Sequence, residues 1–113
     1  MAQDFERNTS NAVGTSAATL RTANSDDAIV GIRMANVATS QINVSCFVRT
    51  AAAGGSDLDV YLIKNAPIPV GSSLELIDGG AKIVMQSGDA LKVKSDTASS
   101  ADVWVSVVDA IST

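Results

Sequence analysis

The sequence predicts an all-β domain, an antiparallel β-sandwich or jelly-roll-like fold with an extended N-terminal arm. Apolar residues recur with a period of two in seven or eight short blocks, spaced by roughly ten residues. Between the blocks stand clusters of Gly, Pro, Asn, Asp and Ser, the residues that turns require. No long run carries helical apolar spacing, and the Ala-rich pieces at 17–23 and 35–39 are too short to hold a helix.

Residues 1–26 form the predicted arm, and 27–113 the sandwich. The arm is mostly Ala, Ser, Thr and Asn, with Phe5, Val13 and Leu20 as its larger apolar anchors, which cannot build a core. Two readings stay open: a terminus with one short strand near 15–22, or a segment that orders by reaching onto a neighbouring subunit. The first convincing strand then sets Ala28, Val30, Ile32 and Met34 inward, with Ile29 on the other face. The next sets Ile42, Val44, Cys46 and Val48 inward and Phe47 outward. A linker, Ala51-Ala52-Ala53-Gly54-Gly55-Ser56, follows.

From 57 to 111 the pattern reads as a continuous β-meander. Leu58, Val60 and Leu62 face inward, opposite Asp57, Asp59, Tyr61 and Ile63. Pro67 and Pro69 cannot donate to a ladder, so 64–73 is either a loop or the ragged start of an edge strand. Residues 74–77 and 81–85 read as a hairpin around Asp78-Gly79-Gly80. After a turn at Gln86-Ser87-Gly88-Asp89, Leu91 and Val93 point inward, and in the last strand so do Val103, Val105 and Val107.

The chain has 113 residues, enough for one core, and a net charge of −4 with eight dispersed Lys and Arg, which argues against nucleic acid as a partner. There is neither a signal-peptide-like apolar segment at the start nor a membrane-length apolar run, so synthesis in a cytoplasm and no membrane partner are expected. The single cysteine, Cys46, forms no internal disulfide and reads as a buried small hydrophobe.

No catalytic residue, cofactor or metal site is predicted. The chain has no histidine, which removes Ser-His-Asp and Cys-His chemistry. Asp57 and Asp59 share a strand face and could hold a calcium ion or act as an acid–base pair, but two aspartates there more simply solvate the face and guard an edge. The glycines lie between strands, with no helix N-terminus to cradle phosphate. Lys82, Lys92 and Lys94 serve solubility on one face.

The pattern also strands large apolar side chains outside. Phe47, Tyr61, Ile63, Trp104 and Val108 fall opposite the inward set, as does Ile29. With Phe5 of the arm, the first five are the candidate interface residues, unless some strand faces are inverted or the arm covers them.

Three phrases carry a family resemblance: the loop Pro67-Ile68-Pro69-Val70-Gly71-Ser72-Ser73-Leu74-Glu75, the Gly88-Asp89 turn, and Ser95-Asp96-Thr97-Ala98-Ser99-Ser100-Ala101-Asp102, with Asn8 to Thr15 fitting too. The chain resembles a family of small virion structural proteins of tailed bacteriophages, of the kind frequent in phages of marine bacteria and cyanobacteria. The resemblance implies a non-enzymatic virion subunit, assembled in the host cytoplasm. It would work as a capsid decoration (cement) protein, self-associating in a closed cluster such as a homotrimer and contacting the major capsid protein. The alternatives are a tail, neck or fibre-associated subunit, or a surface carbohydrate- or receptor-binding sandwich that stacks ligands on Tyr61 or Trp104.

Overall fold

The computed structural model describes residues 4–50, 57–77 and 82–110. Nine strands occur among them: β1 (Asp4–Val13), β2 (Ala18–Thr22), β3 (Asp27–Asn36), β4 (Ile42–Thr50), β5 (Leu58–Ile68), β6 (Ser73–Glu75), β7 (Ile83–Met85), β8 (Ala90–Ser95) and β9 (Ala101–Asp109). They make two antiparallel sheets. The first has the order β1-β9-β3-β6, with β7 also on β3; the second has the order β2-β8-β4-β5.

The pairing is nested. β4 pairs with β5, β3 with β6 and β7, β2 with β8, and β1 with β9, so the chain is one long hairpin rolled into two layers. The ladders β3·β9 and β4·β8 then complete each sheet. That is jelly-roll topology, and the two inner faces meet in one core. The core is built from Ile29, Ile32 and Met34 of β3, Ile42, Val44, Cys46 and Val48 of β4, Leu91 and Val93 of β8, and Val103, Val105 and Val107 of β9. The all-β sandwich expected from the spacing is therefore present, while the meander is not: β5 and β6 lie in different sheets, as do β8 and β9.

Three further corrections follow from the ladders. First, residues 4–22 are no separate arm, because β1 and β2 are the edge strands of the two sheets. β1 escaped notice because its inward set, Glu6, Asn8 and Ser10, is polar, lying opposite Val107, Val105 and Val103. Second, β6 and β7 each lie end to end along β3, against 33–35 and 27–29, so they do not form the expected hairpin with one another; the turn residues 78–81 lie outside the described residues. Third, the β3 ladder slips between Ile29 and Gly31. This bulge turns Ile29 into the core and leaves Ala28 on the outer face.

The turns explain the sequence phrases. Ser72 N donates to Pro69 O at 3.1 Å, and Gly71 at φ +75° supplies the left-handed position of that turn. β5 runs to Ile68 as an edge strand of the second sheet, which is where Pro67 is tolerated. In the 95–102 phrase the hydroxyls of Ser95 and Ser100 lie 2.6 Å apart, Ser100 donates to Thr97 O, and Asp96 accepts from the Asn43 amide. These bonds tie the 96–100 turn to the start of β4, and Ser100 N to Val13 O fastens the end of β1 to it.

Candidate functional site

Residues directly opposite on neighbouring strands share a face, so the register writes out the exterior of the first sheet row by row. One row is Phe5, Val108, Ala28 and Val84, crossing β1, β9, β3 and β7. The next is Arg7, Ser106 and Gly31, and the one beyond is Thr9, Trp104, Arg33 and Glu75. At roughly 4.8 Å between strands, the apolar row spans about 14 Å. Phe5 is 85% exposed and Val84 61%, whereas Ala28 is buried at backbone level between them. The row is thus a projecting ring next to a shallow hollow.

Trp104 stands two rows away, about 13 Å along the strand, and is 51% exposed. The Arg7 guanidinium lies 5.4 Å from the centre of its ring. Arg33 is ion-paired to Glu75 beside it. A cleft of about 380 Å³ opens on one side of the indole, lined by Gly31, Arg33, Glu75 and Ser106, and a second of about 550 Å³ opens on the other, lined by Arg7, Thr9, Asn11 and Asp102.

The six expected interface residues do not form one patch. Phe5, Trp104 and Val108 share the exterior of the first sheet, with Val108 only half-buried. Phe47 and Tyr61 lie on the exterior of the second sheet, stacked at 4.9 Å between ring centres. There Tyr61 covers Phe47, which is 3% exposed and so is not available to a partner. Ile63 packs on the core, because the β4·β5 ladder slips at Cys46 and sets Ile63 opposite it. Leu58 and Val60 keep the expected face, Leu58 opposite Thr50 and Val60 opposite the core residue Val48, but at the start of edge strand β5 they are 61% and 52% exposed. Asp59 is held by Arg49, Nε to Oδ1 at 2.7 Å; the Arg49 hydrogen bond first, then its charge, keep that carboxyl below its ordinary range. Val84 was not singled out in the sequence, since nothing in 83–85 alternates, and Ala28 was set inward because the bulge in β3 is silent there.

Between β1 and β2 the sandwich is closed by charge. Arg21 reaches Asp27 (2.8 Å), Glu6 (2.9 Å) and Asp109 (3.2 Å), and also donates to Asn8. Burial alone would push the Asp27 carboxyl up, but hydrogen bonds from Arg21 and from the Ala110 amide outweigh it and hold it below the usual carboxylate range. Asp109, hydrogen-bonded to that same carboxyl, is pushed up. The carboxylates of Asp4, Glu6 and Asp109 converge within 4.8 Å, and Arg21 already supplies a cation to two of them. Burial pushes the Cys46 thiol up to about 12.

No family model matches the chain, and none of the curated proteins matches it. Among solved structures it is similar to a protein of the disulfide-linked pili formed by Bacillus endospore appendages, at 14% identity and a TM-score of 0.55, over 95% of this chain and 84% of that one. At that identity the likeness is one of fold.

Proposed function

We propose that this chain is a non-enzymatic structural subunit of a tailed-bacteriophage virion, a capsid decoration protein that docks on copies of itself and on the shell through the exterior of its first sheet. The observation that carries this reading is the row Phe5–Val108–Ala28–Val84. A soluble monomer gains nothing by holding a phenylalanine 85% in water, and contiguous apolar surface of this kind is what protein interfaces bury. Its shape suits a second copy, since the projecting Phe5 ring stands beside the shallow hollow at Ala28. Edge strand β1 is pinned through Glu6 to Arg21, so the ring is presented by ordered backbone.

The pilus neighbour supports an assembling role for the fold, although its mode of linkage does not transfer. A disulfide between subunits has no donor in Cys46, which is fully buried. The experiment is to quantify this chain against the major capsid protein in purified particles by mass spectrometry. Copy numbers in the hundreds support decoration. Numbers near six or about twelve place it at a neck, tail or fibre instead, and absence from particles overturns the virion reading.

A further inference from the structure

Trp104 is set apart from the apolar row by about 13 Å, and its surroundings are of a different chemistry. The indole wall rises between two clefts rather than lying flush in a hydrophobic patch. On one side the floor is flat and low because Gly31 and Ser106 face each other there; a Cβ built on Gly31 would come no nearer than 3.8 Å to Ser106 Cβ. The far wall is the Arg33–Glu75 pair, in which a planar guanidinium and a planar carboxylate hold each other in place. That wall carries donors and acceptors while its charges cancel. On the other side Arg7 rests on the ring, which fixes the orientation of the indole before any ligand arrives.

We infer that the cleft of Trp104, Gly31, Ser106, Arg33 and Glu75 is a binding site for a neutral pyranose sugar. A pyranose ring offers a face of C–H groups to an aromatic plane and a rim of hydroxyls that both donate and accept. The indole answers the face, and the Glu75 carboxylate, the Arg33 guanidinium and the Ser106 hydroxyl answer the rim. A volume of about 380 Å³ holds one ring. The second cleft continues past the indole along Asn11, Thr9 and Asp102, so a chain of two or more sugars can straddle Trp104. Charge balance at the first cleft excludes a strongly anionic or cationic ligand as the preferred one. The cleft lies on the same sheet as the apolar row, two rows along the strands, and the site stands whether or not the chain decorates a capsid.

The chain has one tryptophan, so its fluorescence reports this site alone. The folded chain is titrated with neutral gluco-, galacto-, xylo- and N-acetylglucosamine oligosaccharides, and separately with sialylated and sulfated ones. Binding predicts a saturable change in Trp104 emission with at least one neutral series, and protection of the indole from acrylamide. Gly31→Leu keeps the tryptophan but fills the cleft, and should weaken that binding more than tenfold; Glu75→Gln should weaken it several-fold. Each variant is checked for an unchanged urea midpoint. No saturable response to any neutral series overturns the inference, as does a response confined to charged sugars. So does a Gly31→Leu variant that folds and binds as well as wild type. If Trp104→Ala instead disrupts self-association, the indole belongs to the subunit interface and the sugar site falls while the assembly reading stands.

Discussion

Replacing Arg21 with Ala tests the charge cluster that fastens β1 and β2 to the sandwich. The guanidinium is the hub: its side chain is 11% exposed, and it pairs with Asp27, which is 0% exposed, and with Glu6, which is 40% exposed. Removing one partner of a buried pair leaves the other charge uncompensated, at about 3–5 kcal/mol, while the half-exposed Glu6 contact adds at most about 1 kcal/mol. The variant should therefore lose roughly 3–5 kcal/mol near neutral pH, equivalent to roughly 10–20 °C in Tm. The sign of the pH dependence follows from Asp27. In wild type its depressed carboxyl contributes stability that is present above the unfolded value of about 4 and is lost as pH falls through the folded one. Without Arg21 burial prevails, the carboxyl titrates upward, and protonation relieves the variant as pH falls. Asp109, already raised, works in the same direction in both proteins, its contribution lost as pH rises. Urea denaturation near pH 7 and near pH 4 should thus show the gap between wild type and variant closing in acid. A loss under about 1 kcal/mol near pH 7, or an equal loss at both pH values, would mean that Arg21 does not compensate the buried Asp27 carboxylate.

The other expectations concern where each segment is buried. Deleting residues 1–13 removes the edge strand beside β9 and two partners of Arg21, so the remainder should lose its cooperative urea transition; an unchanged midpoint would make β1 detachable from the sandwich. Phe47→Ala should cost about 3–5 kcal/mol, as a core truncation does, whereas Trp104→Ala should cost about 1 kcal/mol because half of its surface already meets water. Comparable losses at the two positions would mean that Tyr61 does not cover Phe47. Alkylation of Cys46 at mildly alkaline pH should follow global unfolding, since its thiol is pushed up to about 12; rapid labelling of the native chain would contradict that burial.

The layers were legible in the sequence, but the wiring between them was not. Alternation in β4, β8 and β9 placed Ile42, Val44, Cys46 and Val48, then Leu91 and Val93, then Val103, Val105 and Val107, in the core where the structure has them. Nested pairing is invisible to local pattern, because its outer ladder joins Asp4 to Asp109, nearly the whole chain apart. Bulges are equally silent. One extra residue at Val30 inverted the faces at the start of β3, and the slips at Cys46 did the same to Ile63. β1 looked like an unstructured arm since its inward side chains answer Arg21 and not an apolar core, a partnership that appears only once β2 lies beside it. Trp104 was recognised as outward from its strand alone. Its flanking clefts depend on Gly31, Arg33 and Glu75, which arrive from two other strands.

On the proposed reading, copies of the chain meet through the Phe5–Val108–Ala28–Val84 row. Sedimentation equilibrium of the wild type beside Phe5→Glu and Val84→Glu tests it most directly. Both positions are more than half exposed, so the charges leave the fold intact. Wild type should form a concentration-dependent oligomer that either glutamate dissociates to monomer, with the urea midpoint of the monomer preserved. A wild type that sediments as a monomer throughout, or an oligomer indifferent to both charges, would contradict it.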